Sequence, residues 1–264
     1  MSNIFTILCT MFFSFAALIL ACIACAGSTK NYNPLNLIYV AQINLSGMDL
    51  TKVIPEVSSN IELSSVLPSY FNIGLWSYCM ENSAKKVTSC TSPHGIEKFN
   101  LKNLLYDNIQ DNEVLSLIDS VASLVLPDKL EQDMNYYNDL AKCMFITMII
   151  GICLSFVALV LSFCRSIFHF RIVTFFGGFI AFFSFVALLI SVGTSMATYI
   201  YISHILKDNY SDYGISLTLG RTYLGILWGG VVAAFFNFFC WCFIRSTPRV
   251  VYVQPPMMEK REML

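Results

Sequence analysis

The chain has 264 residues, of which 56% are hydrophobic and only 12% charged, about half the charged share usual in soluble domains. Its mean hydropathy is +0.64, and four stretches carry no Lys, Arg, Asp or Glu at all: Met1–Thr29, Cys143–Cys164, Ile172–Leu206 and Thr222–Ile244. This excludes a soluble globular enzyme and points to an integral membrane protein, while a net charge of −1 gives no footing for nucleic acid as a partner.

Crossing about 30 Å of hydrocarbon takes roughly 20 apolar residues in a helix. Ile4–Ala26 has that length and forms the first span, within unit 1–26. Ala24-Cys25-Ala26 resembles a signal-peptidase site, and Ile19-Leu20-Ala21-Cys22 loosely resembles a bacterial lipobox. A retained helix fits better. Met1-Ser2-Asn3 has no basic side chain, and the apolar run exceeds the roughly 7–15 residues of a signal h-region.

Residues 27–141 make a loop of 115 residues, long enough to fold as a subdomain on the helix ends. Leu35–Asn44 and Tyr70–Cys79 are rich in β-branched and aromatic residues with partial alternation and predict strands, with a third, short one over Lys86–Thr91. Ser58–Pro68, bounded by Pro55 and Pro68, predicts a connection. Over Asp111–Leu126 the period changes: Val114, Leu115, Leu117, Ile118, Val121, Leu124 and Val125 fall at helical spacing, Asp111 or Asn112 caps the start and Pro127 follows the end. Its polar face lacks the Lys and Arg of a membrane-surface helix, so a lid packed on the sheet or the bundle is expected.

The second span is Cys143–Cys164, within 142–164, and a short loop follows at 165–171. Ile172–Leu206 is longer than one crossing needs and too short for two with a turn. It predicts one helix, 172–202, that extends beyond the bilayer through Tyr199 and Tyr201. A second outer loop at 203–221, a fourth span, Tyr223–Ile244, within 222–244 and a tail at 245–264 complete the chain. Arg165 and Arg171 lie in a short loop without acids, and Arg245 and Arg249 open the tail, so the positive-inside rule places both termini in the cytoplasm. The loop at 27–141, where acidic residues outnumber basic ones 13 to 7, then faces outside.

Of ten cysteines, only Cys79 and Cys90 fall in the outer loops. An isolated pair in an oxidising compartment predicts a disulfide, here closing a 12-residue loop and worth about 3 kcal/mol in the chain-entropy model. The strands that carry the pair are then neighbours, stapled near a turn at Asn82–Lys85. Zinc is the weaker alternative, since His94 does not complete a ligand set. Cys9, Cys22, Cys25, Cys143 and Cys153 read as small apolar packing residues. Cys164, Cys240 and Cys242 lie beside Arg165 or Arg245 at the cytoplasmic boundary and are candidates for palmitoylation, although packing explains each of them too. Asn44-Leu45-Ser46 and Asn209-Tyr210-Ser211 are glycosylation sequons, both in loops assigned to the exterior. Gly177 and Gly178, and Gly225, Gly229 and Gly230 in the last span, read as points of close helix packing.

The four spans, the large first outer loop and Gly74-Leu75-Trp76-Ser77-Tyr78-Cys79 followed by Cys90 resemble the claudin superfamily and its G-L-W-x-x-C…C pattern. More narrowly, Pro34-Leu35-Asn36-Leu37-Ile38-Tyr39, then Gly74–Cys79, then Val87-Thr88-Ser89-Cys90 resemble the fungal Sur/PalI family of claudin-like plasma-membrane proteins. The resemblance covers Met1 to about Arg249. It implies a mainly α membrane fold, a four-helix bundle topped by a small extracellular antiparallel sheet, with Trp76 packed at the junction beside the disulfide. It also implies residence in static, eisosome-associated furrows of the plasma membrane and roles in membrane organisation, wall synthesis and stress tolerance. Paracellular sealing does not carry over, because the tail and the second outer loop are short.

No catalytic set, cofactor site or metal site is legible. His94, His169 and His204 are scattered, and the phosphate-binding and nucleophile-elbow motifs are absent. The middles of the spans hold no charge for an ion or proton path. Asn237 is the main polar exception, and a helix–helix hydrogen bond is expected for it. Three functions stay open: a scaffold that organises a membrane domain through lipid contacts, in sterol- or sphingolipid-rich regions, and lateral association with itself or other proteins; an accessory subunit of an ambient-pH sensor; and a regulator of calcium entry in mating. The short tail favours the first.

Overall fold

The computed structural model describes residues 2–47, 68–93, 128–168, 171–210 and 216–244. Four helices are long and apolar enough to cross a membrane. They are α1 (Ser2–Cys25), α2 (Asp128–Ile167), α3 (Arg171–Tyr210) and α4 (Arg221–Phe243). Five strands lie at one end of this bundle: β1 (Ala41–Asn44), β2 (Tyr70–Ile73), β3 (Tyr78–Glu81), β4 (Val87–Cys90) and β5 (Ser216–Leu219). The sheet is antiparallel throughout, in the order β4-β3-β2-β1-β5. This is the four-helix bundle with a small sheet that the resemblance implied.

Two helices outrun the charge-free stretches that announced them. The second begins at Asp128 rather than near 142, and the third runs on to Tyr210. At 40 residues each, they measure about 60 Å, twice a hydrocarbon core. Charges such as Glu131, Asp133 and Lys207 end an apolar run but not a helix, and after Pro127 the second helix meets no further proline.

The strands depart from expectation in three places. Leu35–Asn44 is not one strand: Leu35–Leu37 form a 3₁₀ turn, closed by the Ile38 amide on the Leu35 carbonyl at 3.2 Å, and pairing starts only at Val40. Tyr70–Cys79 is a hairpin, split into β2 and β3 around Gly74–Ser77, where the Gly74 amide donates to the Ser77 carbonyl at 2.9 Å. A Cβ at Gly74 would lie 2.8 Å from the Gly27 and Ser77 carbonyl oxygens, so only glycine fits there. β5 comes from the second outer loop, too short to show alternation, and its pairing with the far edge of β1 ties the two loops into one sheet. The expected turn at Asn82–Lys85 forms. The Asn82 side chain accepts the Ala84 and Lys86 amides at 3.1 and 3.0 Å, and Lys85 takes a positive φ of 57°. The predicted helix over Asp111–Leu126 lies outside the described residues.

Alternation gives the sheet two unlike faces. Ala41, Ile43, Phe71, Ile73, Tyr78 and Leu217 are buried and join one continuous core with Met144, Met148, Leu188, Val192 and Tyr223 of the helices. A smaller core of Ile7, Ala181, Trp241 and Ile244 closes the opposite end of the bundle. Between them α2 and α3 are joined by hydroxyls: Ser155 and Ser184 meet at 2.7 Å, and Ser191 donates to the Met144 carbonyl at 3.0 Å.

Candidate functional site: the stapled hairpin and its seat on the bundle

Cys79 and Cys90 face each other across β3 and β4 and are joined in a disulfide. Neither sulfur is therefore available as a thiolate, which closes the zinc alternative. The hairpin loop of β2 and β3 is Gly74-Leu75-Trp76-Ser77, and it sits directly on the end of α1. The Trp76 indole Nε1–H donates to Cys25 Sγ at 3.3 Å, and its ring meets Phe145 of α2 edge-on, with centroids 4.7 Å apart. Trp76 thus occupies the junction between sheet and bundle. Beside it Cys22, Cys25, Ala26, Pro93 and Ile152 line a shallow apolar groove of about 280 Å³.

The fixed point of this seat is Ser28, three residues past α1 and fully buried, with a positive φ of 57°. Its carbonyl accepts the Ser77 hydroxyl at 2.6 Å, and Cys79 Sγ touches the same oxygen at 3.3 Å, a contact without a proton because the sulfur is in the disulfide. Its amide donates to the Leu35 carbonyl at 2.9 Å and its hydroxyl to the Ile38 carbonyl at 3.0 Å. Nearby, Asn31 Nδ2 donates to the Val87 carbonyl at 3.2 Å. The three signature segments, far apart in sequence, are therefore tied together through Ser28 and Asn31. Neither residue stood out in the sequence; a polar loop directly after a span was their only mark.

The face of the sheet turned away from the helical core, which Cys79 shares, carries a second feature that sequence reasoning missed. Glu81 is only 4% exposed, yet among the described residues two side-chain amides hold its carboxylate: Asn72 Nδ2 on Oε1 at 2.5 Å and Gln42 Nε2 on Oε2 at 3.1 Å. Gln42 Nε2 also reaches Asn72 Oδ1 at 2.8 Å, which closes a ring across three strands. A buried carboxylate is costly unless hydrogen-bonded, and these donors meet both of its oxygens. Period-two alternation, which sets Gln42, Asn72 and Glu81 on the side away from Ile43, Phe71 and Met80, is the signal that could have found the ring. Partial burial first, and then the Glu81 charge, push the Tyr39 hydroxyl above its ordinary pKa.

Other sequence-predicted residues are placed less simply. Cys25 is buried and Cys9 half-buried, as packing requires, but Cys22, Cys143 and Cys153 are exposed. Cys164 and Cys240 are half-buried and Cys242 is exposed. Gly230 marks a close approach, since a Cβ there would lie 3.7 Å from Leu20 and 3.8 Å from the Ala17 carbonyl; Gly229 faces Leu20 at 3.4 Å. Gly225 does not pack: nothing lies within 4 Å of its Cβ position. Gly177 makes room for the Trp241 ring. Asn237 is buried, but its Oδ1 has no hydrogen-bond partner among the described residues, contrary to the expected helix–helix bond. Asn44 closes β1, with its Oδ1 accepting from the Ser46 amide at 2.9 Å, while the side chain of Asn209 and all of His94 and His169 lie outside the described residues.

A model of the SUR7/PalI family matches residues 6–240, from the first helix to the last. Protein PUN1 of Saccharomyces cerevisiae is 56% identical over 260 residues, 98% of this chain and 99% of that protein. The SUR7 family protein pun1 of Schizosaccharomyces pombe is 27% identical over 176 residues, 65% of this chain and 58% of its own length.

Proposed function

The chain belongs to the SUR7/PalI family, and from that premise we propose that it is a non-enzymatic plasma-membrane protein that organises a lateral membrane domain of the eisosome-associated furrow type, in support of wall integrity and stress tolerance. The observation that carries this reading is the placing of polar chemistry. Inside the spans the buried polar groups are hydroxyls, an amide and an indole, with Arg165, near the end of α2, as the buried charge among the described residues. A transport path needs ionisable groups facing the bundle interior. Beyond a few interhelical hydroxyl bonds, the directional bonding between distant segments lies in the outer seat, which anchors the sheet on the bundle and suits binding rather than turnover. Its partners are lipids, in sterol- or sphingolipid-rich regions, and laterally associated proteins.

Both termini are cytoplasmic and the sheet is outside in this proposal, with Asn44 and Asn209 as glycosylation sites and Cys164, Cys240 and Cys242 as acylation sites. Imaging of a tagged copy at native abundance tests the main claim: stable patches at the cell surface are expected, and a diffuse or endosomal pattern overturns it. For topology, a cysteine at Asp111 should react with an impermeant maleimide on intact cells and one at Glu259 should not.

A further inference from the structure

Phenylalanine is distributed unevenly along the bundle axis. Apart from Phe15, which sits just on the sheet side of the middle of α1, every exposed phenylalanine among the described residues of the spans lies beyond the middle of its helix, toward the end remote from the sheet; Phe156, Phe183 and Phe235 come nearest the middle. Farther out they form ladders. Phe175 stacks on Phe179 at 6.4 Å between centroids, and Phe239 meets Phe243 at 6.3 Å. In the sheet-side half the lipid-facing positions hold mostly aliphatic residues such as Ile19, Ile146, Ile190 and Ile200, with Tyr201 and Trp228 as exposed aromatic residues and, among the described residues, no exposed phenylalanine beyond the middle. Gly193 and Gly225, in the same half, present no side chain and have no atom within 4 Å of their Cβ positions.

Where α1 meets α4 the interior follows the same gradient, although Tyr199 and Tyr223 fill the sheet-side core. On the sheet side α1 and α4 approach nearly backbone to backbone, with the Gly230 Cβ position 3.8 Å from both the Ala17 carbonyl oxygen and the Ala21 nitrogen. From the middle of the bundle outward rings fill the seams: Phe13 on Phe236 at 5.4 Å, then Phe182 on Phe238 at 5.4 Å, and Trp241 against Gly177 at the far end. An aromatic side chain presents about 150–250 Å² to its surroundings, whereas glycine presents only backbone. The bundle is therefore slim in the leaflet nearest the sheet and broad in the other.

A body that is broader in one leaflet expands that leaflet, and the bilayer relieves the mismatch by bending with the broad side convex. We infer that the bundle is a wedge whose preferred partner is a curved lipid surface, one that places the sheet on the concave face. The acyl chains of the remote leaflet, splayed by that curvature, cover the phenylalanines. The inference goes beyond the proposed furrow residence and needs only that the helices cross a bilayer. A diffuse pattern in cells and a lack of curvature sorting are thus separate failures.

The test is purified full-length protein at low density in giant phosphatidylcholine vesicles, from which thin tubes are pulled outward. A fluorophore on the C-terminal tail, quenched by an impermeant reagent in one orientation only, reports which way each population faces. Molecules with the sheet toward the lumen should be enriched in the tube roughly threefold, and those with the sheet outside depleted, as for any population shifted between two environments. The lipid-facing set Phe175→Ala, Phe179→Ala, Phe239→Ala and Phe243→Ala should bring both ratios toward 1. The reciprocal set Ile19→Phe, Ile146→Phe, Ile190→Phe and Ile200→Phe, which fills the slim half, should do the same. Equal tube densities in both orientations, a reversed sign, or sorting that both sets retain overturns the wedge. Sorting that disappears on dilution overturns it too and assigns the ladders to contacts between copies.

Discussion

In the sheet and its seat Ser28, Ser77, Asn72 and Glu81 are buried, and each is held by hydrogen bonds from another segment of the chain. In the bundle Ser14, Asn237 and Trp241 are just as buried, yet each keeps a polar atom without a partner among the described residues. The difference follows from where the backbone finds its bonds. A helix satisfies its own amides and carbonyls, so its side chains are selected mainly by volume, and a stray polar atom is tolerated. The turns around α1, β2 and β4 have no ladder of their own, and each carbonyl needs one particular donor. The seat is thus specified by address and the bundle by shape.

Substitutions can break that contrast. The largest loss is expected for Cys79→Ser or Cys90→Ser: about 3 kcal/mol from loop closure, read as a lower melting temperature of the detergent-purified protein and as retention before the cell surface. Surface abundance equal to wild type for both variants would show that the staple is dispensable. Trp76→Ala should cost about 2–3 kcal/mol, less than a fully buried tryptophan because the ring is only half-buried, and Trp76→Phe should recover part of this through Phe145. In Glu81→Leu, Asn72 Nδ2 loses its acceptor and Gln42 Nε2 one of two, a cost of about 2 kcal/mol in the same melting assay.

Two smaller effects are expected. Because folding raises the Tyr39 pKa, its contribution to stability is fully present below the unfolded value near 10 and is lost as pH rises through the higher folded value. Tyr39→Phe should remove that alkaline component from a pH series of melting curves. Asn237→Leu should be neutral or slightly stabilising, by under about 1 kcal/mol, since it removes a buried oxygen that has no partner. A loss above that size would mean the amide is satisfied after all, and the bundle would then follow the rule of the seat.

The four spans were legible because lipid tolerates little but apolar residues over a crossing, and composition alone reveals that. The cysteine pair was legible because the spans had already claimed the other eight cysteines. The hairpin at Gly74 was not. Tyr70–Cys79 is uniformly strand-like in residue type, and what breaks it is the close approach of the Gly27 carbonyl, 47 residues away in sequence. The fifth strand was missed for a similar reason: Ser216–Leu219 has no pattern of its own and becomes a strand because β1 offers an open edge.

By itself, then, the sequence determined what must lie in the membrane, where the chain turns back, and which two sulfurs were left to pair, since each depends on composition and local order. Tertiary structure alone decided that Ser28 would bind the signature segments together, that Glu81 would be buried under two amides, and that Gly225 would face outward while Gly230 packs. Those outcomes depend on which atoms from distant segments meet, and on the room left between them once the helices have closed.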